Sequence, residues 1–403
     1  MPASAAPSPG LDPEGIDRLR ARVEAHVAAD RVVGVAWSVS RGADVEVGAA
    51  GVNTLGEAAP VARDTPFRIS SMTKPIVAVA ALVLVEQCRL RLDDPVDDLL
   101  PELADRQVLV DGAGPVDGPT VPAARPITVR DVLTFRLGLG MDFTRPWPQP
   151  LLQALAERGL GGGPPAPQGP PEPDEWMARL GELPLQYQPG ERWLYHVGAD
   201  VLGVLVSRAM GQSLDRVVRE LVLDPLGMAD TGFTADPDRL GTCYGADPTT
   251  GERVVYDPPD GQWASPPAFP SGGAGLVSTV GDYSTFARML FDGGRLASGD
   301  RLLSRPMVEL MTTDQVGVGD RAEGPSPDGS SGWGFGVGVT LRRTGLPSVG
   351  SYGWAGGMGS IWSNDPAEDL AVVVMTTDMM AGPFPPPAVI QDVVTAAYGA
   401  IAD

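Results

Sequence analysis

A proline beside the most apolar run of the chain sets the start of one buried helix. Residues 76–85, IVAVAALVLV, directly follow Pro75 in the stretch SSMTKP. Proline is tolerated in the first turn of a helix and breaks the helix further in, so we predict a helix over residues 76–88. Ser71 then lies at or just before the helix N-terminus. The apolar run is roughly half the length that spans a bilayer, which favours a core helix over a membrane segment.

Strand-like segments stand at both ends of the sequence, with helical segments between them. The first segment indicates an amphipathic helix capped by Asp12, and VVGVAWSVS and DVEVGAAGV predict two strands joined by RGAD. GWGFGVGVTL, SYGWAGGMGSIWS and LAVVVMTTDM predict further strands near the end. This order predicts a discontinuous α/β domain, residues 1–100 and 262–403, carrying a mostly helical insertion over residues 101–261.

A site is expected in the cleft between the two lobes. Two Pro/Gly-rich loops, residues 111–126 and 159–173, are expected to shape the substrate pocket. Further helices are predicted around TVRDVLTFRLGLG, in GDYSTFARMLFDGG and from Asp200 onwards, where the aspartate is placed to cap the helix.

The charge and the cysteines exclude some partners and favour one compartment. The 403 residues carry a formal net charge of −21 at pH 7, which argues against nucleic acid because phosphate recognition needs clustered cations. Cys88 and Cys243 are isolated, which fits a reducing compartment, and a single disulfide between them stays open. The first residues have neither the basic nor the apolar region of a signal peptide. We therefore expect a cytoplasmic protein without a membrane partner.

Several common catalytic sites are missing from the sequence. The two histidines are His26 and His196, so an HExxH motif is excluded and a multi-histidine metal centre is disfavoured. No serine lies in a G-x-S-x-G elbow, and no phosphate-binding or dinucleotide-binding loop stands out. His26 is expected to be a residue on the face of the first helix rather than a ligand. We expect neither a metal ion nor an organic cofactor.

Lysine occurs once in the chain, at Lys74, three residues after Ser71; the other 29 of the 30 basic residues are arginine. At this spacing both side chains share one helix face, one turn apart. The helix N-terminus favours negative charge on an activated Ser71 oxygen. Apolar surroundings would lower the pKa of Lys74, and the neutral amine could accept the serine proton, whereas arginine stays charged. The alternative is that Ser71 caps the helix and Lys74 reaches solvent.

A second candidate segment is LQYQPGERWLYHVGADVLG, which presents Tyr195 just before the helix predicted at Asp200. A tyrosine close to a lysine ammonium ionises more easily and can relay a proton. The alternative is that Tyr195 is a packed aromatic residue. His196 could also carry a proton, because histidine titrates near neutral pH. As the residue next to Tyr195 on a strand, however, its side chain is expected to point to the opposite face.

A third candidate segment is YGWAGGMGS, residues 352–360. Its small residues would let an edge strand approach closely and aim an N–H group into the cleft. The alternative is a glycine-rich turn packed around Trp354.

Together and in this order, the segments resemble the serine β-lactamase and penicillin-recognising fold. They are most similar to the family VIII carboxylesterases, which share the class C β-lactamase architecture. FRISSMTKPIVAVAALVLVEQ resembles the S-x-x-K helix, and QPGERWLYHVGADVLGVLVSRAMG resembles the tyrosine segment. PITVRDVLTFRLGLG, SGGAGLVSTVGDYSTFARML and WGFGVGV are similar to the surrounding scaffold. The resemblance implies an α/β (α+β) fold, with an antiparallel sheet flanked by helices and an inserted helical lobe.

The resemblance also implies roles for individual residues. Ser71 would be the nucleophile, Lys74 its base and Tyr195 the second proton-transfer residue. The backbone N–H groups of Ser71 and Gly357 would form the oxyanion hole.

Two departures from the β-lactamase pattern bear on the substrate. The asparagine of Tyr-x-Asn or Ser-x-Asn is replaced by Val197 in YHV, so its amide is missing. Lys-Thr-Gly or His-Thr-Gly is replaced by WAG, Trp354 to Gly356, which has no cation for a substrate carboxylate. An uncharged acyl or aryl ester therefore fits the expected site better than a β-lactam.

The implied activity is hydrolysis of a small-molecule carboxylic ester through a covalent acyl-serine. An acyltransferase on the same fold, with an alcohol or amine acceptor in place of water, is the nearest rival. A β-lactamase or amide hydrolase is a third option, and a non-catalytic binding protein on the same scaffold is a fourth. The sequence carries no indication of the oligomeric state.

Overall fold

The computed structural model describes residues 10–317, 325–326, 328–382 and 386–402. The strands are β1 Gly34–Arg41, β2 Asp44–Gly51, β3 Phe67–Arg68, β4 Gln107–Leu109, β5 Thr120–Pro122, β6 Cys243–Ala246, β7 Arg253–Asp257, β8 Val277–Ser278, β9 Ser331–Trp333, β10 Gly338–Thr340, β11 Tyr352–Gly356, β12 Ser360–Asp365 and β13 Leu370–Thr376. The helices are α1 Pro13–Ala28, α2 Thr73–Glu86, α3 Val129–Leu133, α4 Pro150–Glu157, α5 Pro173–Gly181, α6 Val197–Met210, α7 Leu214–Val218, α8 Asp224–Leu226, α9 Val280–Phe291, α10 Arg305–Met311 and α11 Ala388–Tyr398.

Strands from the two ends of the chain form one antiparallel sheet. Its order is β2-β1-β13-β12-β11-β10-β9. β1 and β2 form the predicted hairpin, with Arg41 opposite Asp44 at its turn. β1 also pairs with β13 from Val35, which faces Thr376, to Arg41, which faces Leu370. The early and late segments of the sequence are therefore adjacent in the fold.

Helices cover both faces of this sheet. Side chains of α1 and α11 pack on one face with alternate residues of β1, including Val35, Trp37 and Val39. Asp12 caps α1, as predicted, by accepting hydrogen bonds from the N–H groups of Glu14 and Gly15. Because strand side chains alternate between faces, Ala36 points to the opposite side, into the larger core that contains α2 and α9.

α2 is the predicted apolar helix, and it lies inside the protein. Every residue from Thr73 to Leu84 is buried, which is expected of a helix that is apolar on all sides. None of the helices in the described residues has both the length and the apolar character needed to cross a membrane.

The segment between the two halves of the sheet contains α3 to α8 and the two short hairpins β4–β5 and β6–β7. α3 is shorter than the helix predicted around TVRDVLTFRLGLG, because Phe135 has a positive φ of 59° that helix geometry does not allow. The division into residues 1–100 with 262–403 and an insertion of 101–261 stays a prediction. Cys88 is exposed, Cys243 is buried, and both thiols are free.

The predicted start of a helix at Asp200 is wrong. α6 begins at Val197, directly after His196, which has φ 81° and ψ −63°. Asp200 therefore lies in the first turn of α6 instead of capping it, and its side chain is buried. This shift of one turn brings Asp200 to the candidate site.

Candidate active site

Ser71 lies in a short 3₁₀ turn, Ser70–Met72, that leads directly into α2. This agrees with the predicted position at the helix N-terminus. The turn is held from outside by Tyr283, whose hydroxyl donates to the Met72 carbonyl at 3.0 Å. Ser70 has a positive φ of 45°, an uncommon conformation for a residue with a side chain. The Ser71 side chain is therefore presented by a fixed and locally strained backbone.

Lys74 is enclosed next to Ser71. It is 1 % exposed, and its Nζ lies 2.9 Å from Ser71 Oγ and 2.7 Å from the carbonyl oxygen of Gly273. Burial lowers the pKa of Lys74 to about 7, against the opposing charge of Asp200. A large fraction of the amine is therefore neutral near pH 7, and the alternative in which Lys74 reaches solvent is excluded.

Tyr195 is packed against the same pair. Its hydroxyl accepts a 2.7 Å hydrogen bond from Trp354 Nε1, and Lys74 Nζ lies 4.6 Å from its ring centroid. The expectation that Tyr195 ionises more easily is wrong. Burial raises its pKa to about 12, and hydrogen bonds with Ser71 and Trp354 offset only part of that effect. Tyr195 is thus a protonated phenol at neutral pH.

The expectation that His196 points away from the site is also wrong. His196 Nδ1 lies 3.3 Å from Lys74 Nζ. The reason is local: the Val197 N–H donates to the Tyr195 carbonyl at 3.2 Å, which makes His196 the centre of a γ-turn with positive φ. Adjacent side chains alternate on a strand, but this turn directs those of Tyr195 and His196 to the same lysine.

Asp200, Ser271 and Gly273 complete the site and were not predicted as members of it. Asp200 Oδ1 accepts hydrogen bonds from Ser271 Oγ at 2.6 Å and from the Gly273 N–H at 3.0 Å. Asp200 Oδ2 lies 3.2 Å from His196 Nε2. The spacing of four residues between the histidine and the aspartate was the available signal, but the predicted role as a cap obscured it. Gly273 contributes backbone atoms, which leave no signal in side-chain chemistry.

Strand β11 brings the glycine-rich segment close to Ser71. The prediction of an edge strand holds only for part of β11, because β10 pairs with Tyr352 and Gly353. Among the described residues, no strand pairs with Trp354 to Gly356 on that side. A Cβ on Gly356 would lie 2.2 Å from the carbonyl oxygen of Ile69, whereas one on Gly357 would lie 3.9 Å from Ser70 Oγ. The structure therefore brings Trp354, Gly356 and Gly357 beside the Ser71 turn.

The glycine- and proline-rich loop borders a cavity next to this site. Residues 159–167, 169 and 170 line a space of about 320 Å³ together with His196, Trp176 and Phe269. The rings of Trp176 and Phe269 stack with centroids 4.8 Å apart, which gives the cavity one aromatic wall.

Comparison with known proteins identifies the family. The sequence model of the Beta-lactamase family matches residues 19–393. The chain belongs to the Beta-lactamase family. Protein Rv1367c of Mycobacterium tuberculosis is 37% identical over 345 residues, 82% of each chain. Esterase EstB of Burkholderia gladioli is 34% identical over 349 residues, 81% of each chain. The solved structure of EstCE1, a hydrolase with promiscuous acyltransferase activity, has a TM-score of 0.78 and 26% identity, covering 96% of this chain and 99% of that chain.

The predicted resemblance to β-lactamase-like serine hydrolases of the family VIII carboxylesterase type is therefore confirmed, as is the fold class. At the two departures from the β-lactamase pattern, Val197 is buried at the start of α6 and offers no amide. Trp354, the first residue of WAG, donates its indole N–H to Tyr195. The residues that the structure describes contain no group of three or more histidine, cysteine or acidic side chains placed to hold a metal ion.

Proposed function

We propose that this protein is a serine carboxylesterase that cleaves small-molecule esters through an acyl-enzyme on Ser71. The observation that carries the proposal is the buried 2.9 Å contact between Lys74 Nζ and Ser71 Oγ. A lysine whose pKa is lowered to about 7 by burial can act as a base at neutral pH. EstB, which is 34% identical to this chain, is named an esterase and supports the reaction class.

In the acylation step, the lone pair of Lys74 Nζ takes the Ser71 hydroxyl proton as Oγ attacks the ester carbonyl carbon. The C–O double bond opens, and its electron pair moves to the carbonyl oxygen. That negative charge is stabilised by the N–H groups of Ser71 and Gly357. Ser71 is suited to this role because the first N–H groups of a helix have no partner within the helix.

Collapse of the tetrahedral intermediate breaks the bond to the leaving alcohol, which needs a proton. Tyr195 donates it, since its pKa of about 12 keeps the phenol protonated. The proton that Lys74 took from Ser71 then passes to the Tyr195 phenolate, which leaves Lys74 neutral and Tyr195 protonated again. Deacylation repeats the sequence with water as nucleophile, so that the free acid leaves and Ser71 is regenerated. None of these steps requires a metal ion or an organic cofactor.

The substrate in this proposal is an uncharged acyl or aryl ester. Trp354 and Gly356 on β11 give the cleft an apolar, uncharged edge. Trp354, Ala355 and Gly356 themselves supply no cation for a substrate carboxylate, which disfavours β-lactams. A cytoplasmic location stays a prediction, supported by the two free thiols of Cys88 and Cys243.

Acyl transfer is the second candidate, because EstCE1 is a hydrolase with promiscuous acyltransferase activity at 26% identity. The two reactions share every step up to the acyl-enzyme and differ in whether water or an added alcohol accepts the acyl group. Product analysis with added alcohol separates them, and a chromogenic cephalosporin tests for β-lactamase activity.

The intact mass of the protein after exposure to p-nitrophenyl butyrate or a fluorophosphonate tests the proposal. We expect a single adduct on the wild type, no adduct on Ser71→Ala and loss of labelling in Lys74→Arg, whose guanidinium cannot accept a proton. An unlabelled wild type without esterase turnover would instead indicate a binding scaffold. Labelling that persists in Ser71→Ala would mean that Ser71 is not the nucleophile.

A further inference from the structure

We propose that His196, held by Asp200, is a positioning residue that turns the lone pair of Lys74 towards Ser71. The inference rests on the proposed function, in which Lys74 is the base. The roles implied by the family resemblance include neither His196 nor Asp200.

Three hydrogen-bond partners surround the amine of Lys74. Nζ lies within hydrogen-bond reach of Ser71 Oγ, the Gly273 carbonyl oxygen and His196 Nδ1, at 2.9, 2.7 and 3.3 Å. A neutral amine has two N–H donors and one lone pair. A carbonyl oxygen can only accept, so Gly273 takes one N–H. If His196 Nδ1 is an acceptor, it takes the second N–H of Lys74. The lone pair of Nζ is then left for Ser71, the one partner whose hydroxyl has a proton to give.

Asp200 determines that Nδ1 is an acceptor. Its Oδ2 lies 3.2 Å from His196 Nε2, and a neutral imidazole that donates from Nε2 leaves Nδ1 unprotonated. Although burial opposes ionisation of Asp200, hydrogen bonds from His196 and Ser271 help to give it a lowered pKa, so the carboxylate is ready to accept the Nε2 proton. Asp200 Oδ1 also accepts from the Gly273 N–H at 3.0 Å. One carboxylate thus fixes both acceptors of the lysine.

The strained backbone at His196 supports a functional role for this residue. A γ-turn with positive φ is rare and strained for a residue with a β-carbon, and His196 has φ 81° and ψ −63°. The strain keeps Tyr195 and His196 on the same lysine. Asparagine and glycine tolerate positive φ better than other residues, which provides a matched pair of substitutions.

The experiment compares His196→Asn with His196→Gly, using p-nitrophenyl butyrate as substrate. The Oδ1 atom of asparagine takes the place of Nδ1 and can accept from Lys74, whereas glycine offers no acceptor. We expect kcat to fall on the order of 100-fold in His196→Gly, with a much smaller change in KM, and to stay within about 10-fold of wild type in His196→Asn. Thermal unfolding checks that both variants fold.

Asp200→Asn is the second variant, for the case in which His196→Gly is unstable. An amide can donate to Nε2, which moves the imidazole proton to Nδ1 and removes the acceptor, so kcat should fall as in His196→Gly. The matched control is His26→Asn. His26 is also buried and also contacts an aspartate, with Nε2 2.7 Å from Asp392 Oδ2 on the far side of the large sheet. The His26→Asn variant should leave kcat and KM unchanged.

Equal kcat values in His196→Asn and His196→Gly, with both proteins folded, would overturn the inference, as would a wild-type kcat in Asp200→Asn. In either case the proposed function would survive, provided that wild-type labelling and turnover require Ser71. Turnover that persists in Ser71→Ala would overturn the proposed function, and the positioning role would fall with it.

Discussion

At the scale of single residues, two buried groups have pKa values displaced in opposite directions. Burial disfavours the charged form of each, so it lowers the pKa of Lys74 to about 7 and raises that of Tyr195 to about 12. The same physical cause leaves much of the lysine neutral near pH 7 and keeps the tyrosine protonated, as the proposed mechanism requires. Groups whose environments separate their pKa values in this way are typical of acid–base pairs.

The pH dependence of kcat/KM follows from these values. A lysine base must be neutral, so activity should rise with pH through a midpoint near 7, falling about tenfold per unit on the acid side. Tyr195 should not limit the rate below about pH 11. The measurement is initial rates between pH 5 and 10, with Ser71→Ala as the control for background hydrolysis. A midpoint near 10 would contradict the assignment of Lys74 as a base with a lowered pKa.

At the scale of elements, the site depends on how closely β11 approaches the Ser71 turn. The Ser360 hydroxyl of β12 donates to the Ile69 carbonyl at 3.1 Å, so the sheet holds the turn directly. Gly356 allows this approach because it has no β-carbon, and the neighbouring Gly357 has space around it. Two adjacent glycines at the end of β11 thus differ in whether a β-carbon would fit.

Substitution of these two glycines by alanine tests the approach of β11. In Gly356→Ala the new Cβ would lie 2.2 Å from the Ile69 carbonyl oxygen and 2.4 Å from Ser360 Oγ. We expect the free energy of unfolding to fall by about 1–3 kcal/mol and Ser71 labelling to slow as β11 moves away. Gly357→Ala, the matched control, should leave thermal stability unchanged. Equal stability of the two variants would contradict the described packing.

The helices and strands that carry the site were predicted from the sequence better than the contacts between them. α2 and the strands of the large sheet follow from apolar patterning and proline placement, which act locally. The direction of the His196 side chain depends instead on a γ-turn that residues with a β-carbon rarely adopt, and the strand pattern gave the wrong answer. The roles of Asp200 and Gly273 arise from contacts between distant segments, which periodicity does not encode.

At the scale of the whole molecule, the family and fold class were predictable because several segments occur in a fixed order along nearly the whole chain. Composition alone would have given only a globular acidic protein. The direction of the Tyr195 pKa shift was not predictable, because it depends on how completely the surrounding aromatic residues exclude water. Phe135 and Phe143, whose ring centroids lie 5.9 and 5.0 Å from that of Tyr195, come from a different segment of the chain.

The two cysteines provide a test of the whole fold. Cys88 is exposed and Cys243 is buried, and burial raises the pKa of the Cys243 thiol to about 12. Iodoacetamide should therefore modify one thiol per chain in the native protein and two in urea, as read by intact mass. A native protein in which neither thiol reacts until a reductant is added would contain a disulfide and contradict the fold.

The most direct test of the account is the protonation state of Lys74. Because the chain contains a single lysine, labelling with lysine that carries carbon-13 at Cε gives one NMR signal that needs no assignment. We predict that this signal titrates near pH 7 in the wild type and near the ordinary lysine value, about 10.4, in urea. A native signal that titrates at or above pH 10 would mean that Lys74 is an ammonium at neutral pH and cannot be the base that activates Ser71.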